Sequence, residues 1–240
     1  MKAIKLLPAM LLITGTNAAI AGTTIDELQN AAQPEFRLLS EDLGAALSYK
    51  PLASAEPLGL TGFDIGVSGT VVSLEHADVL EQVTSSGATS NPVVPRVQVI
   101  KGLPLNIDIG ASYVKVPSSN IKLIGFEAKY AILAGGVATP ALAFRGSYTK
   151  LSGVDQLDFD TKAIDVSVSK GFAIVTPYIG AGVVWVTSTP KNVPTLKEEK
   201  FTEPKYFGGL GFNFALMNLV AEVDRTGDTM SYSLKLGLRF

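Results

Sequence analysis

Apolar and polar residues alternate along most of the chain from about residue 60 to its C-terminus. In the last segment one set of alternate positions is apolar and the intervening set is polar or small. The apolar set is Tyr232, Leu234, Leu236, Leu238 and Phe240, and the other set is Ser231, Ser233, Lys235, Gly237 and Arg239. A helix would mix these two sets, whereas a strand places them on opposite faces. The pattern therefore predicts a β-strand.

The same separation recurs often enough to predict ten strands. They are expected near residues 63–71, 94–101, 105–113, 124–130, 142–149, 164–169, 179–185, 206–214, 219–224 and 231–240. The predicted links alternate between tight turns, as at 101–104 and 170–172, and longer loops, as at 75–93 and 188–204. This alternation, with an even strand number, is typical of outer-membrane β-barrels, whose two ends lie at the periplasmic rim. The fold class expected is all-β: a closed antiparallel transmembrane β-barrel over residues 60–240, with a short N-terminal helical segment.

The aromatic residues agree with this topology, because they sort by strand end. Tyr113, Tyr148, Trp185, Tyr206 and Tyr232 fall near the predicted outer rim, and Phe63, Tyr130, Phe172, Phe214 and Phe240 near the predicted inner rim. Two aromatic girdles at the membrane interfaces are expected of a transmembrane barrel. A soluble β-sandwich would also alternate, but it has no reason to sort aromatic residues in this way.

Composition supports a lipid-facing surface. Hydrophobic residues make up 47% of the chain and charged residues only 18%, and there is no cysteine to form a disulfide. The formal net charge is −2 and no basic run occurs, so a nucleic-acid partner is not expected. The most apolar later stretch, residues 131–144, is interrupted by Gly135, Gly136 and Pro140 and is too short for a membrane-spanning helix.

Residues 1–21 match a secretory signal peptide. Met1, Lys2 and Lys5 form the positive region, residues 6–13 form a short apolar core, and Ala19-Ile20-Ala21 is a cleavage site before Gly22. An exported chain of this kind is expected in the outer membrane of a Gram-negative bacterium.

Residues 22–59 precede the strands and have helical periodicity. Thr24 to Glu27 match a capping box, and Phe36, Leu39, Leu43 and Leu47 recur at helical spacing until Pro51 and Pro57. Three placements stay open: a periplasmic leader packed at the barrel mouth, a plug inside the lumen, or a helix lying on the lipid surface. Packing at the mouth is preferred over full insertion, because an apolar helix face would leave charged lumen groups without partners.

The inward faces of the predicted strands carry a nearly balanced set of charges. These are Asp64, Arg96, Asp108, Glu127, Lys129, Arg145, Asp165, Glu222, Asp224, Lys235 and Arg239. An ion-pair network that fills the lumen is one interpretation, and a polar conduit or small-ligand site is the other. Inward glycines such as Gly180 and Gly209 are expected to enlarge the lumen to a ligand-sized cavity, but not to a wide porin channel.

Candidate chemistry is sparse, so no catalytic residue, metal site or cofactor is expected. His76 is the only histidine, and no serine motif or paired acids accompany it; an exposed loop histidine is the preferred interpretation. Asp155, Asp158 and Asp160 lack the ligand spacing and the glutamate of an EF-hand. A membrane-embedded hydrolase is therefore the least favoured function.

The C-terminal strand, which ends in Phe240, resembles the closing strand of Gram-negative outer-membrane barrels. The resemblance implies that the barrel-assembly machinery reads this strand, with Phe240 as an assembly signal. The expected partners are outer-membrane lipid, that machinery and a small-molecule ligand. The expected function is to bind or pass a small solute without catalysis, and the alternative is a structural or surface-interaction barrel.

Overall fold

The structure is a computed structural model that describes residues 25–84, 90–116 and 119–240; the predicted signal peptide and Thr24 lie outside these residues. Ten antiparallel strands form one closed barrel, in which each strand pairs with its sequence neighbours and β1 pairs with β10. The strands are β1 Phe63–Ser73, β2 Val93–Leu103, β3 Ile107–Lys115, β4 Lys122–Ala134, β5 Ala141–Ser152, β6 Leu157–Ser169, β7 Val175–Pro190, β8 Glu199–Phe214, β9 Met217–Thr226 and β10 Thr229–Arg239. The predicted strand number and fold class are confirmed.

Charged groups lie inside the barrel and apolar side chains lie outside it across most of its height. On β10, Lys235 is fully buried in the lumen, whereas Leu234 and Leu236 are 57% and 50% exposed. A water-soluble barrel has the opposite arrangement, because its apolar faces fill the interior. The chain is therefore a transmembrane β-barrel of the outer-membrane type, and the apolar outward band is its lipid-facing surface.

The two rims of the barrel differ. The turn rim carries the short β2–β3, β4–β5, β6–β7 and β8–β9 connections, together with the start of β1 and the end of β10. The loop rim carries the β1–β2 connection, which includes helix α2 (Ala77–Gln82), and the β7–β8 connection. The structure therefore has the predicted alternation of short turns and longer loops.

Several strands continue further toward the loop rim than their sequence pattern indicates. β7 and β8 have sixteen residues each, so most of the predicted 188–204 loop is strand. Near this rim the inward residues are apolar; Phe159 and Val186 are buried and Phe201 packs on the same core. These residues extend the sheet because they cover a helix inside the barrel.

That helix, α1 (Gln33–Leu47), is the longest described helix, and no helix among the described residues is long and apolar enough to cross a membrane. Pro34 lies in its first turn, where a missing N–H costs nothing, so this proline begins the helix and does not interrupt it. The Glu35 carboxylate accepts a hydrogen bond from the Ala32 N–H at 2.7 Å and caps the same end.

The apolar face of α1 is buried in the loop-rim half of the barrel, which we call the helix chamber. Phe36, Leu39 and Leu43 form one core with inward residues of the strands and with α2. The chamber wall consists of Val72, Val94, Val114, Leu123, Leu151, Phe159, Val184 and Val186. The N-terminal helix thus lies at the mouth opposite the one where β1 begins.

The plugged lumen as candidate functional site

Residues 48–58, here called the plug segment, leave α1 and run through the lumen toward β1 at the turn rim. Ser48 ends α1, and Pro51 and Pro57 prevent the helix from continuing. Ser48, Lys50, Leu52 and Ala55 are each fully buried. The structure does not have the preferred arrangement, a leader packed at the periplasmic mouth, because residues 48–58 run through the lumen and α1 is buried inside the loop-rim half. The physical reason is that an extended chain exposes its own amide and carbonyl groups, which satisfy the charged wall.

Bases of the wall bind backbone carbonyls of the plug segment. The contacts are Arg96 Nη2 to Ser48 O at 3.3 Å, Lys205 Nζ to Tyr49 O, Lys235 Nζ to Leu52 O at 3.2 Å, and Lys129 Nζ to Ser54 O at 3.0 Å and Glu56 O at 2.8 Å. Hydrogen bonds to a charged donor are stronger than neutral ones. Four wall bases therefore fix five successive points along the plug segment.

Wall acceptors bind its backbone N–H groups. Glu222 Oε2 accepts from the Leu52 N–H at 3.1 Å, and both oxygens of Asp108 lie within 3.2 Å of the Leu58 nitrogen. Ser169 Oγ accepts from the Ala55 N–H at 3.1 Å. Because the wall supplies donors and acceptors at matching heights, it binds the segment largely through main-chain atoms.

Lys50 is the one charged side chain of the plug segment that is fully buried. Its ammonium pairs with both carboxylate oxygens of Asp224 and donates to Ala45 O at 3.0 Å and Ser231 Oγ at 3.1 Å. With Lys50 included, the described residues place six buried acids and six buried bases in the lumen. The acids are Asp64, Asp108, Glu127, Asp165, Glu222 and Asp224, and the bases are Lys50, Arg96, Lys129, Arg145, Lys205 and Lys235.

Wall residues also pair directly with one another. Lys235 lies 2.7 Å from Asp64, Lys129 lies 2.9 Å from Asp108, and Arg145 lies 3.0 Å from Glu127. Asp165 is the cross-strand neighbour of Arg145. Such pairing is needed, since an isolated charge in this interior would cost several kcal/mol.

Ten of the eleven charged residues expected to face the lumen are buried there, and Arg239 is half-buried at the turn rim. Sequence reasoning missed Lys205, Lys50 and Tyr49. Lys205 lies between the predicted 188–204 loop and the predicted 206–214 strand, and its phase relative to Tyr206 indicates an inward position. The positions of Tyr49 and Lys50 follow no strand or helix period, so no sequence signal identified them.

The inward glycines receive neighbouring side chains, so the expected enlargement into a ligand-sized cavity is wrong. A Cβ on Gly125 would lie 3.2 Å from the ring of Tyr49, and one on Gly180 would lie 2.2 Å from Phe207. Gly209 similarly accommodates Tyr178, whose hydroxyl donates to Glu222 at 2.6 Å. These glycines allow a narrow barrel to contain both aromatic rings and the plug segment.

Some lumen polar atoms have no protein hydrogen-bond partner within the described residues. They include Arg96 Nε and Nη1, both amide atoms of Gln98, and Asp165 Oδ1. Buried groups of this kind are usually satisfied by ordered water. The polar wall thus has hydrogen-bonding capacity beyond what the plug segment uses.

At the loop rim, Asp42 of α1 connects the helix to two barrel connections. Its carboxylate accepts from the backbone N–H groups of Glu75 at 3.2 Å and His76 at 2.8 Å, and from the Thr229 hydroxyl at 3.0 Å. His76 Nδ1 lies 3.7 Å from the same carboxylate. This histidine is therefore partly covered, whereas the sequence predicted an exposed loop histidine. Among the described residues no cluster of His, Asp or Glu is suited to a metal ion.

The predicted girdle residues all face outward. Tyr113, Tyr130, Trp185, Tyr206, Phe214, Tyr232 and Phe240 are exposed, and Phe63 and Tyr148 are half-buried. At the turn rim the rings of Phe63 and Phe240 lie 5.7 Å apart, where β1 meets the C-terminus.

No protein-family model matches the chain, and no curated protein matches it significantly. Among solved structures, it is similar to the N-terminal β-barrel domain of Pseudomonas aeruginosa OprF, with 15% identity, coverage of 76% of this chain and 99% of that one, and a TM-score of 0.40. It is also similar to a KdgM porin, at 9% identity, coverage of 74% and 99%, and a TM-score of 0.38. Neisserial surface protein A matches at 11% identity, with coverage of 74% and 94% and a TM-score of 0.32. At this level of similarity nothing about ligand or activity carries over to this chain.

Proposed function

We propose that this outer-membrane barrel is a non-enzymatic conduit for a small polar solute, closed by its own plug segment. The main observation that supports this proposal is that the charged wall binds the plug segment through backbone atoms. In this arrangement the turn rim faces the periplasm and the loop rim faces outward. Displacing the segment together with α1, which fills the loop-rim half, would exchange its main-chain groups for water or solute without removing any wall residue.

The charge count indicates which solutes such a conduit favours. Lys50 leaves with the plug segment, so six buried wall acids then face five buried wall bases, which are Arg96, Lys129, Arg145, Lys205 and Lys235. A narrow lumen with low-dielectric walls concentrates ions of the opposite sign. An unplugged lumen should therefore prefer cations weakly, and its small bore excludes wide-porin behaviour.

One observation favours a sealed surface-interaction barrel as the second candidate. The helix chamber has a continuous core that joins α1, α2 and the strand ends, including Val193 and Leu196 of the β7–β8 connection. This packing gives the loop rim a fixed outer surface, which suits contact with a partner and does not require the plug segment to move.

Conductance of the mature chain in planar bilayers separates the two candidates. Lys50→Met removes the ion pair with Asp224 and should raise the open probability at least several-fold over the parent protein. If conductance stays at zero in folded Lys50→Met and also after removal of residues 22–58, the conduit proposal is contradicted. The sealed surface-interaction barrel is then the remaining candidate.

A reversible tether provides the matched control, because the chain has no cysteine. The hydroxyl oxygens of Ser40 on α1 and Ser188 on β7 lie 2.8 Å apart, so S40C/S188C places two thiols in reach of each other. In the Lys50→Met background, oxidation should close the channel and reduction should reopen it. Conductance that persists after oxidation would show that ions bypass the plug segment.

Barrel-assembly machinery is the proposed partner during biogenesis, with Phe240 as part of its signal. Phe240 exchanges backbone hydrogen bonds with Phe63 at 2.6 and 2.9 Å, but its side chain is 60% exposed. Deleting Phe240 should lower barrel yield in cells more than refolding yield in detergent. Equal barrel yields in cells with and without Phe240 would contradict its role as an assembly signal.

A further inference from the structure

Two lysines lie directly opposite each other on the outward face near the loop rim. Lys115 at the end of β3 pairs with Lys122 at the start of β4, and both are exposed. Side chains at directly opposed positions have Cβ atoms about 4.5–5.5 Å apart, and like charges there are destabilising. Neither lysine forms an ion pair with an acid of the described residues. The pair is therefore open to an anion from outside the chain.

The same outward face continues across β5 and β6. Lys150 on β5 pairs with Asp158 and lies directly opposite Asp160, and both acids are on the outward face of β6. Lys162, also on β6, is exposed without an ion pair among the described residues. Tyr148 and Trp185 are the two cross-strand neighbours of Lys162. Four adjacent strands thus present a basic row at the level of, or just above, the outer aromatic residues, where lipid headgroups lie.

Outward bases near the loop rim on β8 and β9 are instead paired with acids, Lys200 with Glu198 and Arg225 with Asp228. The outward positions of β10, β1 and β2 near the loop rim are apolar or hydroxylated, as at Tyr232, Val71 and Val93. Lys115, Lys122 and Lys162 differ from these bases because they have no acid partner among the described residues. A bound molecule that carries negative charge at headgroup depth would supply that partner.

The geometry points to a binding site for a phosphate-bearing lipid headgroup of the outer leaflet, formed by Lys115, Lys122 and Lys162 with Lys150 between them. The lysines supply charge to the phosphate, and the aromatic residues beneath them contact the acyl chains. This site lies on the lipid-facing surface and is independent of any passage through the lumen.

Native mass spectrometry of the full mature chain in mild detergent tests the site, with phosphatidic acid as the probe and phosphatidylcholine of the same acyl chains as reference. Phosphatidic acid should bind several-fold more tightly. Each lysine near an anionic lipid contributes about fivefold, so K115Q/K122Q should weaken phosphatidic acid binding by roughly 25-fold. The matched control K197Q/K200Q removes the same charge at the β7–β8 connection and should change binding less than twofold.

Equal affinity for the two lipids, or equal losses in the two double variants, would overturn the site. Full displacement by inorganic phosphate at equal concentration would assign the lysines to free phosphate and would also overturn the lipid site. A second readout uses Trp185, the single tryptophan, beside Lys162. Brominated phosphatidic acid should quench it more than brominated phosphatidylcholine, and K162Q should remove the difference; a difference that persists contradicts the assignment.

Discussion

The helix chamber and the polar lumen are two interiors of one barrel. The chamber encloses an α-helix with an apolar wall, whereas the lumen encloses an extended segment with a charged wall. The change is visible along β7, where the inward residues pass from Gly180 and Gly182 to Val184 and Val186. On the outward face of β7, apolar residues up to Trp185 give way to Thr187 and Thr189.

This difference shows that each interior complements the conformation of its occupant. A helix satisfies its own backbone, so its surroundings must be apolar and packed. An extended segment has no internal hydrogen bonds, so its surroundings must provide donors and acceptors. The outer surface changes in the same place, because above the aromatic residues the barrel faces water and packs its interior like a soluble protein.

The largest expected effect lies in the polar lumen. Asp224→Asn leaves the Lys50 ammonium buried without its counter-charge and should lower the free energy of unfolding by about 3–5 kcal/mol. Denaturant titration in lipid vesicles, followed through Trp185 fluorescence, measures the loss.

Two further variants sharpen this test. K50M/D224L replaces the pair by apolar side chains and should recover most of the stability. Arg225→Gln breaks an ion pair whose side chains are 53% and 85% exposed and should cost less than about 1 kcal/mol. Similar losses for Asp224→Asn and Arg225→Gln would mean that water reaches the lumen pair freely.

A smaller effect, confined to one region, is expected in the helix chamber. Phe36→Ala removes a fully buried ring and should cost about 3 kcal/mol, the low end for such truncations, because α1 can shift to fill the space. Hydrogen exchange should show the loss at α1 amides while β9 and β10 stay protected. The control Leu38→Ala, at a half-buried position of the same helix, should cost about 1 kcal/mol. If Phe36→Ala lowers hydrogen-exchange protection equally in α1 and in the strands, the two interiors unfold together.

The smallest expected effect concerns the junction between the helix and the loop rim. Asp42→Ala leaves the N–H groups of Glu75 and His76 without their acceptor and should cost about 1–3 kcal/mol. Proteolysis should then cut residues 74–84 faster. Ser40→Ala removes two hydroxyl hydrogen bonds on the same helix, to Phe36 O and Ser188 Oγ, and should alter the rate little, because neither bond involves this loop. Unchanged proteolysis in Asp42→Ala would mean that apolar packing alone holds this loop.

Strand number, closure and facing could be predicted because lipid outside and polar groups inside impose a strict period of two. The prediction failed where the outer surroundings change to water, since Phe201 near the loop rim packs on an apolar core and does not contact lipid. The path of Tyr49 and Lys50 could not be predicted, because main-chain atoms make most of the contacts there. Backbone hydrogen bonding of an extended segment leaves little trace in residue types.

Closure of the barrel has a consequence for the order of assembly. The plug segment precedes β1, and β1 completes the cylinder by pairing with β10, the strand furthest from it along the barrel sequence. A helix of about 10–12 Å diameter would have to unwind to be threaded through a finished ten-stranded cylinder. This unwinding is avoided if β1 and β10 pair around a segment that is already in place. In that sequence of events, the interior occupant acts as a template on which the wall is assembled.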